Sequence, residues 1–433
     1  MQVAVNSPIV RGIIFVIALQ VALCSGGFAQ DKNEPFKTSP VGELKPPKLK
    51  AGSALLLDVR TKSVLYELNS TKPFYPASLT KVMTALLILE RGNLDDMVVV
   101  TKEACSVEPS SAGLKEGEVI SLRHLLYLIL VKSANDACVA AAIHIAGSVS
   151  AFVRMMNERA KSLGAQYTHF CNPHGLHNDK HYSTAQDLAR ITIEALKHEE
   201  FRNAIATRVL EVPPTNKSKA RVFKNLNKLL WEYEGADGVK TGYTIPAGKC
   251  LIATATRNGW QLLAVILKSS NQFEDAKALL DYGFSSFISI PITQKGSTVA
   301  TFHIQGGVPS CVAAIPKEDF FAVLKRNEIH KLQWRIHQKP VKLPLHRGDT
   351  IGYVEFTSPS SSTHLIELAS ASDVMPLNDG ALKRLLVSMV LLMLLIACGI
   401  GVFYLVRKPV ACCSGHMQQD ASLKSWRRVI KLR

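Results

Sequence analysis

The chain is poor in the features that announce metal, nucleotide or nucleic-acid chemistry. Its nine cysteines in 433 residues are an odd count with no close C-x-x-C pair, which removes the spacing of a structural zinc site. No H-E-x-x-H or similar metal pattern is present, and no glycine-rich phosphate loop, so no cofactor or metal is expected. Aromatic residues make up only 7%, and no basic run is interleaved with them. The formal charge of +16 therefore does not read as a nucleic-acid surface, and part of the excess sits in terminal segments. A basic exterior suits a membrane surface or an anionic polymer at least as well.

The two ends carry the long apolar runs. Residues 1–29 read as a secretory signal: Arg11 is the positive n-region, Gly12 to Leu23 the apolar h-region, and Gly27-Phe28-Ala29 a small-residue cleavage site. A lipoprotein reading through Cys24 is disfavoured by the bulk of Leu23 before it. At the other end, residues 385–406 are 22 residues without a charge, about 33 Å as a helix and enough to span a bilayer. Seven Lys/Arg against one Asp follow in residues 407–433, whereas only Lys383 and Arg384 immediately precede the run. The positive-inside rule then puts this basic tail in the cytoplasm and residues 30–384 outside, as a single-pass protein of the cell (inner) membrane facing the periplasmic or extracytoplasmic side. Of the cysteines, Cys105, Cys138, Cys171, Cys250 and Cys311 fall in the exported part, where buried thiols and one or two disulfides are both open readings.

Between the ends, residues 30–50 are charged and proline-bearing and read as a linker. Residues 51–289 begin with a strand hairpin around Arg60-Thr61-Lys62-Ser63, pass through a block of helices, and return to strands from Asp237, with Arg257-Asn258-Gly259 as a hairpin turn and Phe273 to Phe287 as a closing helix. Lys217 to Lys228 reads as a solvated basic loop and helix edge. The pattern predicts an α/β domain with an antiparallel sheet built from both chain ends and an inserted helical block. Residues 290–376 lose the helical period and read as a small all-β domain.

One helix in this block needs explaining. Pro76 opens it, Arg91-Gly92 close it, and apolar residues from Val82 to Leu89 cover nearly its whole circumference, so it belongs inside the domain. Yet Ser78 and Lys81 share one face of its first turn, where free N–H groups favour developing negative charge. A lysine snorkelling to the surface would need a polar side that this helix lacks. Ser78 is the only serine of the chain with a lysine three residues on. Two further motifs follow in order: Ser133-Ala134-Asn135, in a polar break between apolar helices, and Lys240-Thr241-Gly242, on a strand. Ser133 and Asn135 also suit an ordinary helix cap.

S-x-x-K, S-x-N and K-T-G in this order resemble the penicillin-interacting serine enzymes of β-lactamase/transpeptidase-like fold. The stretches Pro76 to Thr84, Asn172-Pro173-His174-Gly175-Leu176 with His181-Tyr182-Ser183-Thr184-Ala185, and Asp237 to Thr244 are more narrowly similar to the low-molecular-mass D-alanyl-D-alanine carboxypeptidases, penicillin-binding proteins of peptidase family S11. The similarity covers about Ala51 to Phe287 and, more weakly, the β domain to about Val374.

The resemblance implies catalytic roles for Ser78, Lys81, Ser133 and Asn135, and substrate binding by Lys240, Thr241, Gly242 and Tyr243. Ser78 would be acylated by peptidoglycan stem peptides ending in D-Ala-D-Ala, and covalently by β-lactam antibiotics. His174 and His181 read as loop-structuring residues. Ala134 where many relatives have glycine, the apolar Leu226 between Asn225 and Asn227, and a full membrane span in place of an amphipathic helix depart from the family pattern. A β-lactamase would need a device for fast deacylation, and no E-x-x-L-N-like segment lies between Ser133 and Lys240. A DD-endopeptidase and a catalytically silent peptidoglycan-binding scaffold are the remaining alternatives.

Overall fold

The computed structural model describes residues 45–358, 361–377 and 379–406. The signal expected over 1–29, most of the linker over 30–50 and the tail over 407–433 lie outside the described residues. The chain divides into two compact units, the first holding the chain to Ile292 with Phe320–Gln333 and Phe356–Thr363, the second Thr293–Asp319, Trp334–Glu355 and the chain from His364 on.

In the first unit, β1 (Ala51–Asp58) turns into β2 (Val64–Leu68). One turn of 3-10 helix, Ala77–Thr80, leads into α1 (Lys81–Arg91), in which every residue from Lys81 to Ile88 is buried. After the short helix Leu122–Tyr127 and a π-turn at Leu128–Lys132 come α2 (Asn135–Ala146) and α3 (Val149–Ser162). Helix α4 (Ala185–Ala195) starts at Thr184, whose side chain accepts a hydrogen bond from the Asp187 N–H and satisfies one free donor of the first turn.

The basic segment read as loop and helix edge instead contains a strand. Hairpin β3 (Val209–Val212) and β4 (Arg221–Lys224) pairs Leu210 with Phe223. Each strand is only four residues long, and its outward positions mix a valine with a charge (Val209 with Glu211, Val222 with Lys224), so no clean apolar alternation shows in the sequence.

Strands β5 (Ala236–Thr244), β6 (Gly248–Arg257) and β7 (Trp260–Ser269) complete a five-stranded antiparallel sheet of order β2-β1-β7-β6-β5, followed by α5 (Gln272–Ser286). The first and last parts of the domain meet at β1 and β7, where Leu56 faces Ala264. Period-two alternation sends the two faces of this sheet into two cores. Leu55, Leu57, Ile252, Leu263 and Val265 join the helical block around α1, whereas Ala54, Leu56, Ala253, Ala264 and Ile266 pack with Ala276, Leu279 and Leu280 of α5. Small side chains on the second face let α5 lie close. A Cβ added at Gly283 would come 2.6 Å from Leu262 and 2.9 Å from Leu56.

Strands β8 (Phe287–Thr293), β9 (Ala300–His303), β10 (Cys311–Pro316), β11 (Phe320–Lys325), β12 (Gln333–Gln338), β13 (Thr350–Ser358) and β14 (Ser361–Ser370) follow. β8 pairs with β11, and the remaining five form a sheet of order β9-β10-β14-β13-β12. Helix α6 (Asp379–Val406) then carries a candidate membrane span at Lys383–Ile400. Cys105, Cys138, Cys171, Cys250, Cys311 and Cys398 are all free thiols, so no disulfide forms among the described residues.

The packing of α1 yields a direct test. Leu86 is fully buried. Leu86→Ala should destabilise the fold by about 2 to 5 kcal/mol through lost burial and a residual cavity. The expected outcome is a Tm lower by about 5 °C or more; an unchanged Tm would show that the block relaxes around α1.

Candidate active site

Three chain segments converge at the N-terminal end of α1. The first is the 3-10 turn itself. Pro76 precedes it, and Ala77, just before Ser78, holds a positive φ of 48°. Ser78 is half-buried in this turn, one turn before the fully buried Lys81. The Lys81 Nζ donates to Ser78 Oγ at 3.0 Å, to Asn135 Oδ1 at 2.7 Å and to the His174 carbonyl oxygen at 2.7 Å. An ammonium has three protons, and here each has an acceptor.

The second segment is the break between the π-turn and α2. Ser133 is buried in the left-handed conformation, with φ 63° and ψ 37°, and its N–H returns to the Leu128 carbonyl. Reversing the chain there puts Asn135 at the start of α2 with its side chain turned inward. Its Oδ1 accepts from Lys81 while its Nδ2 donates to the Glu108 carbonyl at 2.8 Å.

The next residue, Asp136, is also buried and gathers the loop before it. Its carboxylate accepts from the N–H groups of Ala112 (3.0 Å) and Leu114 (3.1 Å) and from Ser111 Oγ (2.6 Å). Sequence reasoning missed this role of Asp136. A carboxylate in the first turn of an apolar helix was its one available signal.

The third segment is β5, an edge strand of the main sheet. Lys240 is buried on it, its Nζ donating to the Thr241 carbonyl at 3.0 Å. Gly242 allows the strand to run against the Ser78 turn. A Cβ there would lie 3.1 Å from both the Ser78 nitrogen and the Pro76 carbonyl oxygen. Beyond it, the Tyr243 and Ile245 side chains project into solvent. Thr241, by contrast, is half-buried.

Burial sets the electrostatics. It pulls the Lys81 ammonium down to about 8, while Cys138 and Asp136 nearby pull the other way. Lys240 is held well below the ordinary lysine range by burial and by the Lys81 cation. The buried Cys138 thiol is pushed up to about 12 by desolvation, although Lys81 opposes this, so it stays a neutral packing group. His174 falls to about 3 and His181 to about 4, both chiefly by burial, so both rings are neutral near pH 7. Among the described residues no group of three or more His, Cys, Asp and Glu side chains is arranged to hold a metal ion.

Ser78, Lys81 and Asn135 are thus joined by direct hydrogen bonds, with Gly242 of β5 packed on the same turn. The arrangement offers a hydroxyl activated by an amine of lowered basicity, free N–H groups at a helix start, and a buried cation on a sheet edge. That combination suits acyl transfer from a peptide that carries a carboxylate.

Residues 41–271 match the family model described as D-alanyl-D-alanine carboxypeptidase, and residues 287–375 match that of the penicillin-binding protein 5 C-terminal domain. The chain is 34% identical over 312 residues to the D-alanyl-D-alanine carboxypeptidase DacF of Bacillus subtilis, which covers 70% of this chain and 80% of that one. It is 34% identical over 363 residues to the D-alanyl-D-alanine carboxypeptidase DacD of Escherichia coli, covering 80% and 90% respectively. Among solved structures, penicillin binding protein 5 from Haemophilus influenzae is similar with a TM-score of 0.65 at 29% identity, over 77% of this chain and 99% of that one. With more than half of its length matched by one family model, the chain belongs to the D-alanyl-D-alanine carboxypeptidases, the low-molecular-mass penicillin-binding proteins of peptidase family S11.

Proposed function

We propose that the chain removes the terminal D-alanine from peptidoglycan stem peptides through an acyl-enzyme on Ser78. The observation that carries this reading is the Lys81 Nζ lying 3.0 Å from Ser78 Oγ and 2.7 Å from Asn135 Oδ1. Ser78 Oγ attacks the carbonyl carbon of the penultimate D-alanine, and its proton passes to Lys81. The C–N bond breaks, Ser133 relays a proton to the leaving amine, and D-alanine departs. Water then hydrolyses the ester.

Asn135 holds both Lys81 and the substrate amide. Lys240 and Thr241 bind the terminal carboxylate, and contact with that anion restores charge to the Lys240 ammonium that burial disfavours. The N–H groups of Ser78 and Tyr243 receive the tetrahedral oxygen. Gly242 leaves room for the substrate backbone to lie along β5, as an added strand would. A β-lactam enters by the same chemistry, and its slow release is expected because no E-x-x-L-N-like segment lies between Ser133 and Lys240.

Helix α6 anchors the protein in this reading, with the seven Lys/Arg of the tail on the cytoplasmic side and the catalytic unit in the periplasm or its extracytoplasmic equivalent. The apolar span and its exposed side chains support this.

A fluorescent penicillin should label the wild-type chain covalently and fail to label Ser78→Ala; a folded wild type that takes no label would sink the enzyme reading. Free D-alanine should appear from a pentapeptide ending in D-Ala-D-Ala, whereas release only from crosslinked dimers would assign an endopeptidase. The pH dependence carries a sign. Lys81 accepts a proton only as the neutral amine, so acylation should rise with pH through about 8 and fall about tenfold per unit below it. A flat profile between pH 6 and 9 would remove Lys81 as the base.

A further inference from the structure

The mechanism above uses neither His181 nor Thr80, yet both are buried at the nucleophile turn, Thr80 as its last residue and His181 hydrogen-bonded to it. His181 Nδ1 accepts from the Cys171 N–H at 3.2 Å, which leaves the ring proton on Nε2. That Nε2–H donates to Thr80 Oγ1 at 2.8 Å, and the Thr80 hydroxyl passes its own proton on to the Ala77 carbonyl oxygen at 2.8 Å. A one-way chain of donors therefore runs from the loop backbone through His181 and Thr80 to a single carbonyl. With His181 held neutral by burial, the chain keeps this polarity across the working pH range.

The Ala77 carbonyl belongs to the same peptide unit as the Ser78 N–H. In a planar trans peptide these two groups point in opposite directions. Fixing the carbonyl on the inner side therefore aims the N–H outward, and it has no intramolecular acceptor among the described residues. On that outer side lies Gly242, whose Cβ, if it had one, would meet the Ser78 nitrogen at 3.1 Å.

The orientation is not one the turn would choose alone. Ala77 has a φ of 48°, a left-handed conformation in which any residue with a Cβ is disfavoured. The loop also walls in the carbonyl from behind. Gly175 has a φ of 87°, and a Cβ on it would fall 1.9 Å from the Ala77 oxygen and 2.8 Å from Thr80 Oγ1.

We infer that Thr80 and His181 are positioning residues for the oxyanion pocket, holding the Ala77–Ser78 peptide so that the Ser78 N–H points at the developing tetrahedral oxygen. The inference rests on the proposed acylation of Ser78. The same loop supplies the His174 carbonyl to Lys81, so nucleophile, base and oxyanion donor would all be referenced to residues 172–181.

The test uses the full chain in detergent, with benzylpenicillin as the probe. Acylation of the wild type at Ser78 is established first by mass spectrometry, and its failure would count against the proposed function rather than against this inference. Thr80→Val keeps the shape and removes the hydroxyl, whereas Thr80→Ser keeps it. Thr80→Val should acylate about tenfold to a hundredfold more slowly, the range expected when one oxyanion donor is misaligned.

The carbonyl stretching frequency of its penicilloyl ester should also move up, reporting a weaker hydrogen bond to that oxygen, and Thr80→Ser should restore both values. A purely structural role would lower Tm and leave the frequency where it is. If Thr80→Val does not fold, His181→Leu is compared with His181→Gln, which retains a donor and an acceptor, by the same two measurements. Wild-type acylation in the variant, or slower acylation with an unmoved carbonyl frequency, overturns the inference.

Discussion

A lysine ammonium with no exposed surface is the constraint on which the rest of the structure depends. Lys81 lies at the start of α1, inside the helical block, and a bare cation there would be far too costly to keep. It is tolerated because three chain segments send it acceptors: the hydroxyl of Ser78, the amide of Asn135 and the carbonyl of His174. Those acceptors are 3, 54 and 93 residues away in sequence. Satisfying one buried group therefore fixes how the Ser78 turn, the break before α2 and the 172–181 loop meet. Burial still prevails over the opposing influence of Cys138 and Asp136, and the ammonium ends near 8. That leaves an amine able to give and take a proton near neutral pH.

The sheet supplies the other half of the site by being unfinished. Strand β5 is an edge, and an uncovered edge is a row of unpaired backbone groups. Here the Ser78 turn packs beside it instead of another strand, and Gly242 removes the one side chain that would hold the two apart. The result is a slot with an extended backbone on one wall and a helix start on the other. Lys240, buried on the same strand, puts a second cation close to Lys81, and the two oppose each other's charge. In the proposed mechanism the substrate carboxylate relieves that opposition, so the site is electrostatically incomplete until the anion arrives.

Much of this could be read from the chain alone, and the reasons differ by element. The burial of α1 followed from apolar residues around its whole circumference, and the β1–β2 and β6–β7 hairpins followed from alternation and turn residues. The β3–β4 hairpin did not, because strands of four residues whose outward positions mix valine with charge show no clean alternation and imitate a solvated loop. Asp136 looked like part of a polar break, since nothing local tells a carboxylate that it will gather three backbone and hydroxyl donors from residues 111–114. The cysteines left disulfides open, and in the structure the six described ones are free thiols.

By itself the sequence determined which chemical groups are present and where each sits along its own element: a hydroxyl and an amine one helical turn apart, a serine and an asparagine in a polar break, a lysine and a glycine on a strand. Those are local facts, governed by periods of 3.6 and 2 residues. Only the tertiary structure decided that the Ala77 carbonyl would be held by Thr80 with His181 behind it, that the third acceptor of Lys81 would be a backbone carbonyl, and that Gly242 would face the Ser78 N–H. Backbone groups are the same at every residue and leave no mark in a sequence. Which carbonyl or N–H serves a site is settled by packing between segments far apart in the chain, and that is where the precision of this site comes from.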